Sequence, residues 1–193
     1  SNQEDYPATF EKILYHPRLL SLFAGGLGQS EESIFDQTYK AKFEQSKQVK
    51  NFDRSSSSNA QFHMDTFHPI LKGYFVLSDT DETNGAFRYV KSSNRLSFKR
   101  LREVYRASNK KQDVLQQPRY SDTEMSKYGE VKQLCCAGNT LIVADTSGLH
   151  ARGYFEADKC REIIYIDCRY NPLLGFVNLF RKRKQISKFK NSN

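Results

Sequence analysis

The sequence predicts a mainly β domain, an antiparallel sandwich or barrel with helices packed against its outside. Two observations lead to this expectation. Several short segments rich in Phe, Tyr and Val are separated by polar turns, and one long basic insertion interrupts their series. The chain has 193 residues, of which 38% are hydrophobic and 13% aromatic, enough apolar material for one domain with a substantial core. We therefore expect residues 1–193 to form a single domain.

An N-terminal helical part is predicted over residues 9–28. Apolar residues recur at helical spacing on both sides of Pro17, and we expect this proline to divide the segment into two short helices. The run Gly25-Gly26-Leu27-Gly28 then ends the helical region. Alternation over residues 33–44 predicts the first strand.

The remaining elements are strands on either side of an insertion. Strand-like runs occupy 61–67, 71–78, 86–91, 131–136, 140–145 and 161–168. Residues 97–117 show a basic helical pattern instead. The apolar side of this helix is formed by Phe98, Leu101, Val104 and Tyr105. We expect residues 95–128 to form an insertion between two core strands, at the rim of the barrel.

The net charge of +8 is concentrated in two segments. Residues 181–193 form a basic C-terminal tail with six basic and no acidic groups, and residues 91–119 contain nine basic and two acidic groups. The remaining residues therefore carry a net charge of −5. Proteins that coat nucleic acid usually have a basic face across the fold, so this role is not expected. The two segments are either a solvated loop and tail or a binding surface for an anionic substrate or membrane.

Composition also bears on the cellular compartment. No apolar run approaches the roughly 20 residues of a membrane-spanning helix. The four cysteines contain no CxxC pair and make a weak disulfide framework. We expect a reducing, cytoplasmic environment.

His63 and Asp65 are the most informative residues for chemistry. They are two apart, so on an extended strand both side chains point to the same face and can occupy adjacent positions on a metal. A third ligand has to come from another histidine. His16 lies beside a proline in the helical part, and His68 follows Asp65 too closely. His150 ends a strand-like run with a glycine turn that can deliver it to the same pocket.

Two imidazoles and one carboxylate are the facial ligand set of non-haem Fe(II) oxygenases. This set fills half of an octahedron and leaves the other half for an oxo-acid co-substrate and O₂. Arg161 lies eleven residues beyond His150 and opens the strand-like run REIIYIDC. A buried arginine needs an anionic partner, and the distal carboxylate of an iron-chelating dicarboxylate would supply one.

The segments that carry these residues resemble the phytanoyl-CoA dioxygenase-like branch of the Fe(II)/2-oxoglutarate-dependent oxygenases. The similarity rests on His63-Met64-Asp65, on the strand and turn LKGYFVLSDTDETNGAFRYVKSSNR, and on NTLIVADTSGLHARG with Arg161 downstream. It covers about residues 60–95 and 138–170. The chain departs from the family pattern in two turns, where Asn139 replaces a usual Gly and Ala86 replaces a common Pro.

The resemblance implies a double-stranded β-helix, or jelly-roll, core in which His63, Asp65 and His150 hold Fe(II). It implies that 2-oxoglutarate and O₂ are co-substrates and that Arg161 pairs with the far carboxylate of 2-oxoglutarate. The implied reaction hydroxylates a small molecule and releases succinate and CO₂. Halogenating relatives carry a small residue in place of the carboxylate, so the presence of Asp65 favours hydroxylation.

Four further residues are candidates for ligand binding. Tyr74 falls where family members often carry an aromatic lining the co-substrate pocket, and Arg152 is a candidate for contact with 2-oxoglutarate or the prime substrate. Arg102 and Arg106 belong to the insertion, which we expect to act as a lid over the iron site. They are candidates for binding an anionic group of the substrate.

Two other functions remain open at this stage. One is a jelly-roll protein that keeps the metal or a ligand but turns nothing over. The other makes the basic segments primary, with the protein binding nucleic acid or an anionic membrane.

Overall fold

The computed structural model describes residues 12–31, 34, 38–47, 60–66, 68–95, 97–109 and 118–169. The helices within these ranges are α1 (Pro17–Leu27), α2 (Phe98–Asn109) and α3 (Asp122–Met125). The strands are β1 (Thr38–Lys47), β2 (Leu71–Val76), β3 (Phe87–Val90), β4 (Val131–Leu134), β5 (Thr140–Asp145), β6 (His150–Arg152) and β7 (Cys160–Arg169). The basic tail 181–193 lies outside the described residues.

The strands form two antiparallel sheets, which confirms the prediction of a mainly β chain with few helices. One sheet has the strand order β1-β7-β2-β5, and the other has the order β4-β3-β6. The predicted strand over 61–67 is reduced to single bridges, from Phe62 to Tyr120 and from His63 to His150. The chain bends at Asp65, so pairing does not continue beyond His63. Among the described residues, no helix is long and apolar enough to cross a membrane.

Helix α1 begins and ends at the residues that the sequence indicates. Pro17 occupies the start of the helix, where its missing N–H costs no hydrogen bond, and His16 caps it by accepting from the Arg18 backbone N–H at 3.3 Å. A separate helical turn precedes this point over residues 12–14, as expected from a dividing proline. Gly28 closes the helix in the left-handed region at φ 62°.

The larger sheet has two distinct faces because side chains alternate along its strands. One face of β2 and β7 packs against α1, through Leu71, Ile164, Ile166 and Cys168. The opposite face carries Lys72, Tyr74 and Val76, which lie directly across from Asp167, Tyr165 and Ile163. The polar members of this second face line the functional site.

The two sheets meet in a shared apolar cluster. Tyr74 and Val76 of β2 and Ile163 of β7 pack together with Phe87 of β3. The other face of the smaller sheet covers a second cluster, which contains Phe62, Met64, Val90, Met125, Leu149 and Ala151. The segment 62–65 therefore runs along the smaller sheet, with a packed core on one side of it and a cavity on the other.

Candidate metal centre

The structure brings His63, Asp65 and His150 together. The His63 Nε2 atom lies 4.0 Å from Asp65 Oδ1, and the His150 Nε2 atom lies 3.9 Å from Asp65 Oδ2. The backbone causes this proximity: His63 and His150 face each other in an antiparallel bridge, and the Asp65 N–H donates to the Thr146 carbonyl at 2.9 Å. One ligand atom from each residue fits within 4.8 Å of the others, so the three could hold one metal ion.

Both imidazoles are oriented by their own backbone. The Nδ1–H of His63 donates to the Gln61 carbonyl at 2.9 Å, and the Nδ1–H of His150 donates to the Gly148 carbonyl at 3.0 Å. A carbonyl can only accept, so the proton must lie on Nδ1. Each Nε2 therefore presents a lone pair towards Asp65, which is the orientation that a metal ion requires.

Burial keeps the two imidazoles neutral. Desolvation, with a further contribution from the neighbouring His150, lowers the pKa of His63 to about 4. Burial also lowers the pKa of His150 below its ordinary value. Near neutral pH a metal ion would thus displace no proton from either ring.

Asp65 is held in its ionised form by Lys72. The Lys72 Nζ atom lies 2.8 Å from Asp65 Oδ2 and 3.6 Å from Asp167 Oδ1. Burial is the largest single influence and acts to raise the pKa of Asp65, but the charge of Lys72, the neighbouring His150 and hydrogen bonds from Lys72 and Thr146 together outweigh it, and the pKa lies below its ordinary value. The donor set is therefore two neutral imidazoles and one carboxylate, which suits Fe(II).

Arg161 is a buried cation on the same cavity. Only 3% of its surface is exposed. One terminal nitrogen donates to the Gly85 carbonyl, and the other lies 3.4 Å from the Tyr165 hydroxyl. Among the described residues, its Nε has no hydrogen-bond partner and no carboxylate pairs with the guanidinium. A buried guanidinium in this state favours an anionic ligand.

The position of Gly85, whose carbonyl accepts the hydrogen bond from Arg161, requires glycine. Its φ is +82°, in the left-handed region, and an added Cβ would collide with the Phe155 ring. The same ring lies beneath two guanidinium groups, at 5.1 Å from Arg152 and 5.7 Å from Arg161. The turn therefore combines a left-handed backbone, which glycine adopts without strain, with close packing against Phe155, and it presents its carbonyl to Arg161.

These groups surround one cavity of about 160 Å³. Its described lining consists of His63, Asp65, Lys72, Tyr74, Phe87, His150, Ala151, Arg152, Arg161 and Tyr165. Tyr74 and Arg152 thus line the same cavity as the three candidate metal ligands. Arg102 and Arg106 are exposed on α2 and are not among these lining residues.

Two lining residues, Tyr165 and Lys72, are not among the candidates that the sequence indicates. Both follow from the alternation of strands: Tyr165 lies four residues after Arg161 on β7, and Lys72 lies two before Tyr74 on β2. A count along each strand at a spacing of two could have found them. The ion pair with Asp65 could not be found in this way, because it depends on how the chain bends after His63.

The departures from the family pattern lie in turns. Asn139 has φ 63°, a left-handed conformation that asparagine tolerates better than most non-glycine residues. Its backbone N–H still donates to the Val76 carbonyl at 2.7 Å. Ala86 is buried just before β3 and accepts the Gly153 N–H at 2.8 Å. Neither residue lines the cavity as described.

No protein-family model and no curated protein matches the chain. Its fold is similar to that of several solved structures. The epimerase SnoN, in complex with Fe3+, alpha ketoglutarate and nogalamycin RO, superposes with a TM-score of 0.57 at 14% identity, over 83% of this chain and 58% of SnoN. SnoN is described as a non-heme, alpha-ketoglutarate-dependent epimerase from nogalamycin biosynthesis.

Two further structures show the same similarity. EvdO2 from Micromonospora carbonacea var. aurantiaca, complexed with 2-oxoglutarate, gives a TM-score of 0.54 at 13% identity, over 84% of this chain and 64% of EvdO2. HygX from Streptomyces hygroscopicus, with iron bound, gives 0.53 at 13% identity, over 86% of this chain and 69% of HygX. This chain therefore spans 58% to 69% of the length of the three proteins. At these identities the comparison establishes a shared, mainly β fold with proteins that bind iron or 2-oxoglutarate.

Proposed function

We propose that the protein is an Fe(II)- and 2-oxoglutarate-dependent oxygenase that hydroxylates a small molecule. The main support is that one cavity contains both the candidate metal ligands and a cation for the co-substrate. Two Nε2 lone pairs and the Asp65 carboxylate converge in it, and the buried guanidinium of Arg161 lines the same space. On this proposal the two sheets are parts of a double-stranded β-helix of the phytanoyl-CoA dioxygenase-like type.

Each residue has a defined task in this proposal. His63, Asp65 and His150 would hold the iron, and Lys72 keeps Asp65 ionised and fixes one of its oxygens at 2.8 Å. Arg161 would bind the distal carboxylate of 2-oxoglutarate through a charge-assisted pair. Iron with 2-oxoglutarate and O₂ supplies the oxidising power for a C–H bond and yields succinate and CO₂.

Two observations favour this function over its alternatives. A protein that only stores metal has no need for a buried arginine beside the ligands that forms no ion pair with any described residue. Asp65 also fills the ligand position at which halogenating relatives carry a small residue, which argues against halogenation. Hydroxylation is therefore our first expectation, and epimerisation, the activity described for SnoN, is the alternative oxidative outcome.

The direct test measures succinate formed from 2-oxoglutarate by the purified chain with Fe(II), ascorbate and O₂. We expect slow turnover without a prime substrate and faster, coupled turnover once a substrate is found in a screen of small molecules, including anionic ones. His63→Ala should abolish succinate formation, and His68→Ala is the matched control because His68 lies outside the three-residue group. Intact metal binding without succinate under any condition would instead support a non-catalytic metal-binding protein.

A further inference from the structure

A second cavity, of about 240 Å³, adjoins the metal-ligand segments. Met64 and Leu149 line it, whereas their neighbours His63, Asp65 and His150 line the first cavity. The rest of its described lining is polar and consists of Ser92, Ser93, Arg95, Ser97, Arg100, Glu103, Tyr120, Lys127 and Tyr128. We propose that this second cavity is a binding site for a phosphate group.

The charge of the lining favours an anion. Three cationic side chains face the cavity, from Arg95, Arg100 and Lys127, against the single carboxylate of Glu103. That carboxylate already accepts a hydrogen bond from the Tyr128 hydroxyl at 2.8 Å. Serine hydroxyls complete a set of donors of the kind that phosphate oxygens accept.

Arg100 contributes most to this preference because its positive charge is buried. Only 8% of its surface is exposed. Its guanidinium donates to the carbonyls of Ser93, at 2.7 Å, and Ser147, and its Nε–H faces the Met64 thioether at 2.9 Å. None of these partners is charged, and no ion pair involves Arg100 within the described ranges. Burial lowers the pKa of this guanidinium below its ordinary value, although the charge of Asp145 acts in the opposite direction.

The backbone adds to the same preference. The cavity lies at the start of α2, where Ser97 Oγ accepts the Arg100 N–H at 3.2 Å and the first turn contains no acidic residue. The positive end of a helix dipole attracts anions. A tetrahedral oxyanion, with several acceptors and up to two charges, matches three cations and hydroxyl donors better than a carboxylate would. This assignment does not depend on the oxygenase reaction.

The test titrates the metal-free full chain with inorganic phosphate by calorimetry, with chloride at equal ionic strength as the reference. We expect saturable binding that Arg95→Gln and Lys127→Gln each weaken by about tenfold or more, since each removes a hydrogen bond to a charged group. Lys91→Gln is the matched control, because Lys91 is also exposed and lies close in sequence but outside the lining. Arg95 and Lys127 are both exposed, so their variants should fold normally, and thermal denaturation checks this.

Two further arms locate the anion and identify its source. Arg161→Gln should leave phosphate affinity unchanged, since Arg161 lines the other cavity. Phenyl phosphate that binds at least as tightly as inorganic phosphate would identify the phosphate group of an organic molecule as the ligand, and preference for inorganic phosphate would identify the free ion. The proposal is overturned by binding no stronger than that of chloride. It is equally overturned by loss of binding in Arg161→Gln or by equal weakening in Lys91→Gln.

Discussion

Substitution of Arg161 by glutamine tests the assignment of the co-substrate site. Among the described residues, the guanidinium donates to the Gly85 carbonyl, lies 3.4 Å from the Tyr165 hydroxyl and stands over the Phe155 ring, and its Nε has no hydrogen-bond partner. A carboxylate placed there can accept two hydrogen bonds from the arginine fork. Hydrogen bonds to charged groups contribute about 1.5–3 kcal/mol each, so the pair contributes about 3–6 kcal/mol. Arg161→Gln should therefore weaken 2-oxoglutarate binding by at least about 100-fold.

The assay is calorimetric titration of the Mn(II)-loaded protein with 2-oxoglutarate and with 2-oxopentanoate. The second compound keeps the chelating oxo-acid end but has a methyl group in place of the distal carboxylate. The wild type should prefer 2-oxoglutarate by about 100-fold or more, and Arg161→Gln should bind the two compounds about equally. Stability of the metal-free variant should fall by less than about 1 kcal/mol, since removing a buried charge that has no ion pair among the described residues offsets the loss of its hydrogen bond to Gly85. An Arg161→Gln protein that still discriminates between the two compounds would refute the assignment.

Three other predictions concern the ligands and their support. Mn(II) at a hundred times its Kd should raise the free energy of unfolding by about 2.7 kcal/mol, measured by chemical denaturation. His63→Ala should lose this gain, and His68→Ala should keep it. Equal gains in both variants would exclude His63 as a ligand. In the metal-free folded protein, His63 stays neutral until the pH falls to about 4. In the unfolded chain, the same side chain takes up a proton below pH 6.5, its ordinary pKa. Stability should therefore fall as the pH drops from 6.5 to about 4, by up to about 3 kcal/mol, and a His63→Gln variant with the same pH dependence would contradict this. Gly85→Ala should cost about 2 kcal/mol or more, from the left-handed backbone and the collision with Phe155. Gly25→Ala is its control, because nothing lies within 4 Å of the added Cβ, and equal stability of the two variants would argue against the strain.

The parts of the site that the sequence predicts are those that depend on short-range spacing. His63 and Asp65 are two residues apart, and only one of the remaining histidines ends a strand with a glycine turn. Strands β2, β3, β5 and β7 follow from short runs rich in apolar and aromatic residues, because their side chains pack into the core clusters. Local pattern and local chemistry agree at these positions, so a single sequence is sufficient.

Helix α2 shows where such reasoning fails. Its pattern places Phe98, Leu101 and Tyr105 on one side, yet their exposed fractions are 92%, 41% and 67%. Among the residues of α2 whose burial the structure describes, the buried one is Arg100, whose guanidinium reaches the carbonyls of Ser93 and Ser147 in other segments. Amphipathicity describes the helix alone, whereas burial depends on the carbonyl groups that the neighbouring turns present. Lys72 is a similar case, because its pairing with Asp167 follows from the register of β2 against β7.

The charges of the metal cavity explain why a dianionic co-substrate is the expected one. With neutral imidazoles, its described lining contains three cations, Lys72, Arg152 and Arg161, against the single carboxylate of Asp65. Asp167 offsets part of this excess through Lys72, at 3.6 Å. A divalent metal ion would add two further positive charges to a space from which water is partly excluded, where repulsion between charges is stronger than in bulk water. An anion that chelates the metal at one end and meets Arg161 at the other removes both sources of repulsion. The same excess of positive charge would disfavour a co-substrate with one carboxylate, so under the proposed function Arg161 and the three candidate ligands would select for the same molecule.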